Sequence, residues 1–285
     1  MARVEYRSGQ HVAMRKLIHC RCFKGAVAPL LLHLASANLL PPTTAIAANN
    51  AVKAMSDETS DDSHEIEQPF PANGSIINID DCVYTVQNAG RDWSLSTPDA
   101  DTLRFELRSG DHWSSSAWID PATSERDEIS GQTVYPLGTQ IDIAYDFMVE
   151  PGQTNSASGP GRWLVLGQMH EHSVPRSPPF AVELVNGDHM AIDIGTGNPI
   201  YVYTDPDPIQ RGRYYSMKVR VRFDNNRDGF LSVWRDGANI VDYRGSIGTG
   251  AATYWKQGIY RSSAPESVAV RFRTLKITTV AAPRW

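Results

Sequence analysis

From Ile76 onward, apolar and polar residues alternate in short runs separated by glycine- and proline-bearing turns. Successive side chains of a β-strand point to opposite faces, so a period of two marks a strand buried on one side. Leu103-Arg104-Phe105-Glu106-Leu107-Arg108 alternates cleanly and stops at Ser109-Gly110-Asp111. Gln140 to Val149 alternates over a longer span, and Trp163 to His170 and Phe180 to Val185 read as further strands. Others are expected at 189–194, 200–204, 214–223 and Val268 to Thr278. Phe230 to Trp234 and Asn239 to Tyr243 flank Arg235-Asp236-Gly237-Ala238, a hairpin signal. The stretch 150–161 is rich in Gly, Ser, Pro and Asn and reads as a loop. No amphipathic helix and no internal repeat stands out in this region. Many short strands with Gly/Pro turns specify an all-β fold, and one jelly-roll sandwich over 76–285 is the economical arrangement.

The N-terminus follows a different pattern. Arg15, Lys16, Arg21 and Lys24 form a basic stretch, Ala26 to Leu40 is mostly apolar, and Ala45 and Ala47 supply small residues after Pro41-Pro42. That order predicts a secretory signal peptide over 1–47, with either Met1 or Met14 as the start, and hence a secreted or periplasmic protein. Residues 48–75 are polar and acidic and read as a flexible leader. Residues 1–47 hold six basic residues and one acidic one, so their removal takes the net charge from −5 to −10. Such a chain is not expected to bind nucleic acid, and nothing in the mature part is apolar enough to anchor it in a membrane. Cys20 and Cys22 leave with the signal, so Cys82 has no partner for an intramolecular disulfide or a cysteine metal site. A monomer is expected.

Three short segments carry most of the candidate chemistry. In Tyr254-Trp255-Lys256-Gln257-Gly258-Ile259-Tyr260-Arg261, alternation puts Tyr254, Lys256, Gly258 and Tyr260 on one face, with Gly258 leaving room between the larger side chains. In Glu125 to Ser130 it puts Arg126, Glu128 and Ser130 together, and in Gly167 to His172 it puts Gln168, His170 and His172 together, preceded on that side by Leu164 and Leu166. Arg, Gln, His, Lys and Tyr on neighbouring faces suit an anionic sugar. Cleaving a polyuronate by β-elimination requires donors that stabilise the charged carboxylate while its C5 proton leaves. It also needs a base for that proton and an acid for the C4 oxygen. A tyrosine beside cations can have a lowered pKa and serve in both roles.

These segments resemble the three blocks of the alginate-lyase-like polysaccharide lyases, whose patterns are Arg-x-Glu-Leu-Arg, Gln-x-His and Tyr-Phe-Lys-x-Gly-x-Tyr. The order of Val219 to Phe223, Asp228-Gly229 through Val233-Trp234, Asp236-Gly237 and Tyr254 to Arg261 is more similar to the glucuronan-lyase and heparin-lyase-like branch. The resemblance runs from about Leu103 to Arg273. It implies a jelly-roll with a groove across its concave sheet and depolymerisation of an anionic polysaccharide by β-elimination, a glucuronan-like polymer being favoured. It also implies Tyr260 as proton donor, Gln168 and His170 as carboxylate ligands with His170 or Tyr260 as base, and Arg126 as the first arginine of its block. Lys256, Tyr254, Glu128, Arg261 and His172 then bind substrate. Ser130 stands where the block has its second arginine, and Arg104 or Arg108 would compensate if their strand borders the groove.

Two other functions fit an all-β sandwich. A glycoside hydrolase needs two carboxylates across the scissile bond, and the nearest strings, Gln140-Ile-Asp142-Ile-Ala144 and Ala191-Ile-Asp193-Ile-Gly195, lack the glutamate pair. A non-catalytic carbohydrate-binding module needs exposed aromatics, for which Trp113, Trp118, Tyr135, Trp163, Tyr201 and Tyr203 are candidates, most of them expected in the core. No cofactor is required. A structural calcium is compatible with the chain, but Asp224 to Gly229 reads as a β-turn, because the twelfth position of that loop is Arg235 rather than glutamate.

Overall fold

The computed structural model describes residues 71–280. The signal sequence expected over 1–47 and all but the end of the 48–75 leader lie outside them. Within them the alternating runs become strands of two antiparallel sheets. One sheet has eight strands in the order β1 (Ile76–Ile79), β2 (Cys82–Gln87), β5 (Ser124–Gly131), β14 (Thr253–Ser262), β7 (Leu164–Glu171), β8 (Phe180–Val185), β9 (His189–Asp193) and β10 (Tyr201–Thr204). The other has seven, in the order β13 (Ala238–Arg244), β12 (Phe230–Arg235), β11 (Tyr215–Arg222), β6 (Gln140–Val149), β15 (Val268–Val280), β4 (Thr102–Leu107) and β3 (Leu95–Asp99). This is the all-β sandwich that the period of two predicts. The expected loop over 150–161 holds a 3-10 turn at Ser156–Ser158.

The core fills the space between the sheets. From the seven-stranded sheet come Phe105, Tyr145, Phe147 and Phe272, and from the eight-stranded sheet Leu164, Leu166, Trp255 and Ile259, all buried. Tyr145 and Trp255 meet across the interface with ring centroids 5.8 Å apart, and Phe105 packs edge-on against Phe272 at 5.6 Å. Each such side chain stabilises the sandwich by ~1.5–3 kcal/mol of burial. In the β12–β13 hairpin, Asp236 and Gly237 both take positive φ, 50° and 81°, the geometry that matches the twist of the paired strands.

Two strand irregularities position the site. The register of β7 against β8 shifts between Val165 and Gly167, a bulge that turns Leu164 and Leu166 to the core and Gln168 and His170 outward. The two leucines are therefore not on the face of Gln168, as strict alternation had suggested. Gly258, at φ 143°, sits where a Cβ would lie 2.3 Å from the Asp127 carbonyl oxygen and 2.6 Å from Glu128 Cα. It is glycine because the backbones of β14 and β5 approach too closely for a side chain, and not to leave room between Tyr254 and Tyr260.

Candidate active site

A groove of about 1250 Å³ crosses the outer face of the eight-stranded sheet. Small-molecule pockets run to ~300–1,000 Å³, so this one has room for an oligomer. Its floor is built by β5, β14 and β7, which are neighbours in the sheet. Tyr260 lies opposite Arg126 on β5, Lys256 lies between Ser130 on β5 and Gln168 on β7, and Tyr254 lies opposite His170. The three segments singled out from the sequence therefore converge. Arg126, Gln168, His170, Tyr254, Lys256 and Tyr260 all line the groove.

Glu128 ties the floor together. One of its oxygens accepts from Lys256 Nζ at 2.6 Å and from Arg126 at 3.3 Å, and the other accepts from Gln168 Nε2 at 2.6 Å. Burial pushes its carboxyl up, but the Lys256 and Arg126 charges with the Lys256 and Gln168 hydrogen bonds outweigh burial and hold it below the ordinary carboxylate range. The same burial pushes the Lys256 ammonium down to about 8, against the pull of Glu128. Lys256 thus keeps its charge at neutral pH. Glu128 is a buried anchor and not a group that faces substrate, which corrects its assignment as a binding residue.

Arg126 is fixed from several sides. Asp120 accepts two hydrogen bonds from it, both 2.9 Å, and its guanidinium lies 3.9 Å from the Tyr260 ring centre and 5.1 Å from that of Trp113. Asp120 escaped the sequence reading: it sits in an irregular segment before Pro121, and no period marks it. Tyr260 is half-buried between Arg126 and Trp163, whose ring centre is 4.3 Å away. Its phenol is raised above the ordinary 10, because burial outweighs the Arg126 charge. The expectation that neighbouring cations lower it is overturned, and Tyr260 is a protonated acid at neutral pH.

His170 has the opposite balance. Burial lowers its pKa, Lys256 lowers it further, and the bond to the Glu171 carbonyl opposes them. That carbonyl lies 2.9 Å from Nδ1 and can only accept, so in the neutral ring Nδ1 carries the proton and Nε2 is the basic nitrogen. The Tyr254 ring centre is 5.6 Å from the His170 ring. His172 is exposed, 6.4 Å from Tyr254 and bonded to Ser173, at the margin of the site. Arg261 is fully buried and bonded to Glu125 at 2.8 Å and to the Glu266 carbonyl, so it is structural and not a substrate ligand. Arg104 and Arg108 cannot replace the missing second arginine, because β4 belongs to the other sheet.

A model of the polysaccharide lyase family matches residues 74–278. The chain belongs to this polysaccharide lyase family. It is therefore an enzyme of that class. Similar solved structures include an alginate lyase from Klebsiella pneumoniae, at 14% identity and TM-score 0.49, with 67% of this chain and 86% of that one covered. An endo-β-1,4-glucuronan lyase from the fungus Trichoderma reesei is 8% identical at TM-score 0.49, covering 72% and 90%. The alginate lyase AlyA1 from Zobellia galactanivorans is 15% identical at TM-score 0.47, covering 67% and 82%. No curated protein matches the chain.

Of the aromatic candidates, Trp113, Trp118, Trp163 and Tyr201 line the groove of this lyase, while Tyr135 is buried in the core and Tyr203 bonds Asp205. More of them face the groove than the sequence suggested. Four charged groove residues went unnoticed as groove candidates: Arg162, Arg176, Glu183 and Asp193. The arginines lie in loops and Glu183 in an apolar strand, where no pattern distinguishes them. At Asp224 the carboxylate accepts from the Asn226 N–H at 2.7 Å, inside a seven-residue loop between β11 and β12 that is longer than the tight β-turn expected there. Among the described residues, no helix is long and apolar enough to cross a membrane.

Proposed function

We propose that this lyase cleaves a uronate-containing polysaccharide by β-elimination on the floor formed by β5, β14 and β7. The observation that carries the reading is a neutral base, His170, and a protonated acid, Tyr260, beside fixed N–H donors whose own counter-carboxylates are already committed to cations. A uronate carboxylate over the floor meets Arg126, Lys256 and the second amide hydrogen of Gln168. These donors stabilise the dianion that develops as the C5 proton leaves. His170 Nε2 takes that proton, the C4–O bond breaks, the C4–C5 double bond forms, and the Tyr260 hydroxyl protonates the departing oxygen.

Glucuronate, as in glucuronan, is the favoured unit, because the order of the sequence blocks follows that branch and Ser130 stands where an alginate-type site carries arginine. One observation favours an alginate-type substrate instead. A base and an acid on separate strands suit a sugar whose C5 proton and C4 oxygen lie on opposite sides, as in L-guluronate. Export to the cell exterior or periplasm, with cleavage after Ala47, completes the proposal.

Incubation with glucuronan and with guluronate-rich alginate tests it. The expected product absorbs in the ultraviolet through its conjugated double bond. New reducing ends without that absorbance would mean hydrolysis and replace this reading. The rate should climb as pH rises through a value below the ordinary histidine 6.5, where His170 becomes neutral, and decline above about 8, where Lys256 loses its charge.

A further inference from the structure

We propose that Glu171 and Thr249 form a clamp that positions His170, fixing the tautomer in which its Nε2 is basic. The inference rests on the reading of His170 as the base of a uronate lyase and adds two positioning residues, neither of which lines the groove.

His170 is the next-to-last residue of β7, and β8 pairs with β7 only from Leu164 to Met169. The Glu171 carbonyl therefore lies beyond that ladder. On the other side Glu171 stands opposite Thr253 of β14, but the Thr253 N–H goes to the Tyr135 carbonyl. Neither neighbouring strand takes up the Glu171 carbonyl, and it is left to accept from His170 Nδ1 at 2.9 Å. A peptide beyond its ladder needs another anchor. Here the Glu171 side chain supplies it. Glu171 is 3% exposed, and its Oε1 accepts from the Thr249 N–H at 2.5 Å while its Oε2 accepts from the Thr249 hydroxyl at 2.7 Å. One residue on, the His172 N–H donates to the Ala252 carbonyl at 2.7 Å and closes the same junction.

Thr249 sits in the connection from β13 to β14, residues 245–252. Ile247 pins that connection: it is buried and exchanges two backbone hydrogen bonds with Asp224, at 2.8 and 3.1 Å. Gly248, at φ 84°, admits the Glu171 carboxylate, since a Cβ there would lie 3.0 Å from Oε1. The clamp thus ties a pinned turn to the one peptide that selects the His170 tautomer. A ring that loses its acceptor at Nδ1 can carry the proton on Nε2 instead, which removes the basic nitrogen from the reaction. Small displacements of a reacting group are costly to turnover, so a base held by a clamp outperforms one held by its own strand end.

The test uses three variants. Thr249→Val removes the hydroxyl at an exposed loop position and keeps the size of the side chain, and Glu171→Ala removes the whole clamp. Glu171→Gln is the conservative variant: its amide oxygen can accept from the Thr249 N–H and its amide nitrogen can donate to the Thr249 hydroxyl. Nitrogen-15 NMR of the neutral imidazole reads the tautomer, with the His170 signals assigned by their loss in His170→Asn. The wild type and Glu171→Gln should carry the proton on Nδ1, whereas Thr249→Val and Glu171→Ala should gain a population with it on Nε2. On glucuronan or guluronate-rich alginate, whichever the wild type cleaves, kcat should fall roughly ten-fold in Thr249→Val and further in Glu171→Ala, short of the ~10²–10⁴-fold that a base contributes in full. KM should stay within about two-fold, and Glu171→Gln should keep the wild-type rate. If Glu171→Ala does not fold, Thr249→Val carries the test alone. A His170 proton on Nε2 in the wild type, or Thr249→Val with an unchanged tautomer or an unchanged kcat, overturns the inference. Absence of unsaturated product from the wild type on both polymers overturns the lyase reading instead, and the tautomer measurement then decides the clamp by itself.

Discussion

The outer faces of the two sheets use the same residue types to opposite effect. On the seven-stranded sheet, Arg220 meets Asp142 at 2.6 Å, with side chains 42% and 22% exposed. On the eight-stranded sheet, Lys256 meets Glu128 at the same 2.6 Å, with side chains 5% and 1% exposed. The distance is identical and the physics is not. Water and salt screen the first pair, whereas the second sits in a low-dielectric floor where each charge needs the other. A face of exposed pairs keeps the sheet soluble. A face of buried pairs fixes donors in place before substrate arrives, which is what electrostatic catalysis requires.

The largest effect should come from the residue that joins that floor to the chemistry. Tyr260→Phe removes one hydroxyl and keeps the ring between Arg126 and Trp163. Turnover should fall by ~10²–10⁴-fold, the typical contribution of one acid–base group. Thermal melting of the same preparation should change little. An active but destabilised variant would make Tyr260 a packing residue and leave the proton donor unassigned.

Next in size is the anchor. Glu128→Ala leaves Lys256 with an uncompensated buried charge while Arg126 keeps its two bonds to Asp120, and breaking such a buried pair costs about 3–5 kcal/mol. Denaturant unfolding monitored by tryptophan fluorescence measures it. A loss under about 1 kcal/mol would place the buried pair on a par with the exposed one and remove the contrast between the sheets. The smallest effect belongs to the other face. Arg220→Ala and Asp142→Ala, singly and together, should show a coupling of ~0.2–1 kcal/mol, with activity intact. A larger coupling, or lost activity, would mean that the seven-stranded sheet takes part in function.

Much of the site was legible because strand alternation is a local rule. Tyr254, Lys256 and Tyr260 share a face for the same reason that Trp255 and Ile259 share the core. The same rule failed wherever a strand is irregular. Leu164 and Leu166 were placed on the wrong side because a bulge in β7 cannot be seen in Leu-Val-Leu-Gly. Gly258 was assigned to the groove because the approach of β5 to β14 is a property of two distant segments. Arg104 and Arg108 were offered to the groove because the pattern of β4 says which side is buried but not to which sheet the strand belongs.

The sequence by itself determined the strands, the hairpin at Asp236-Gly237 and the three polar faces, since each follows from neighbours in the chain and the two-residue period of the backbone. Tertiary structure decided how those faces meet and what charge each group carries. The Lys256–Glu128 pair joins residues 128 positions apart in the chain. Whether Tyr260 is held above its ordinary pKa or below it depends on a contest between burial and the Arg126 charge. Burial is set by everything that packs around a side chain in three dimensions, so no reading of local pattern could have weighed the two.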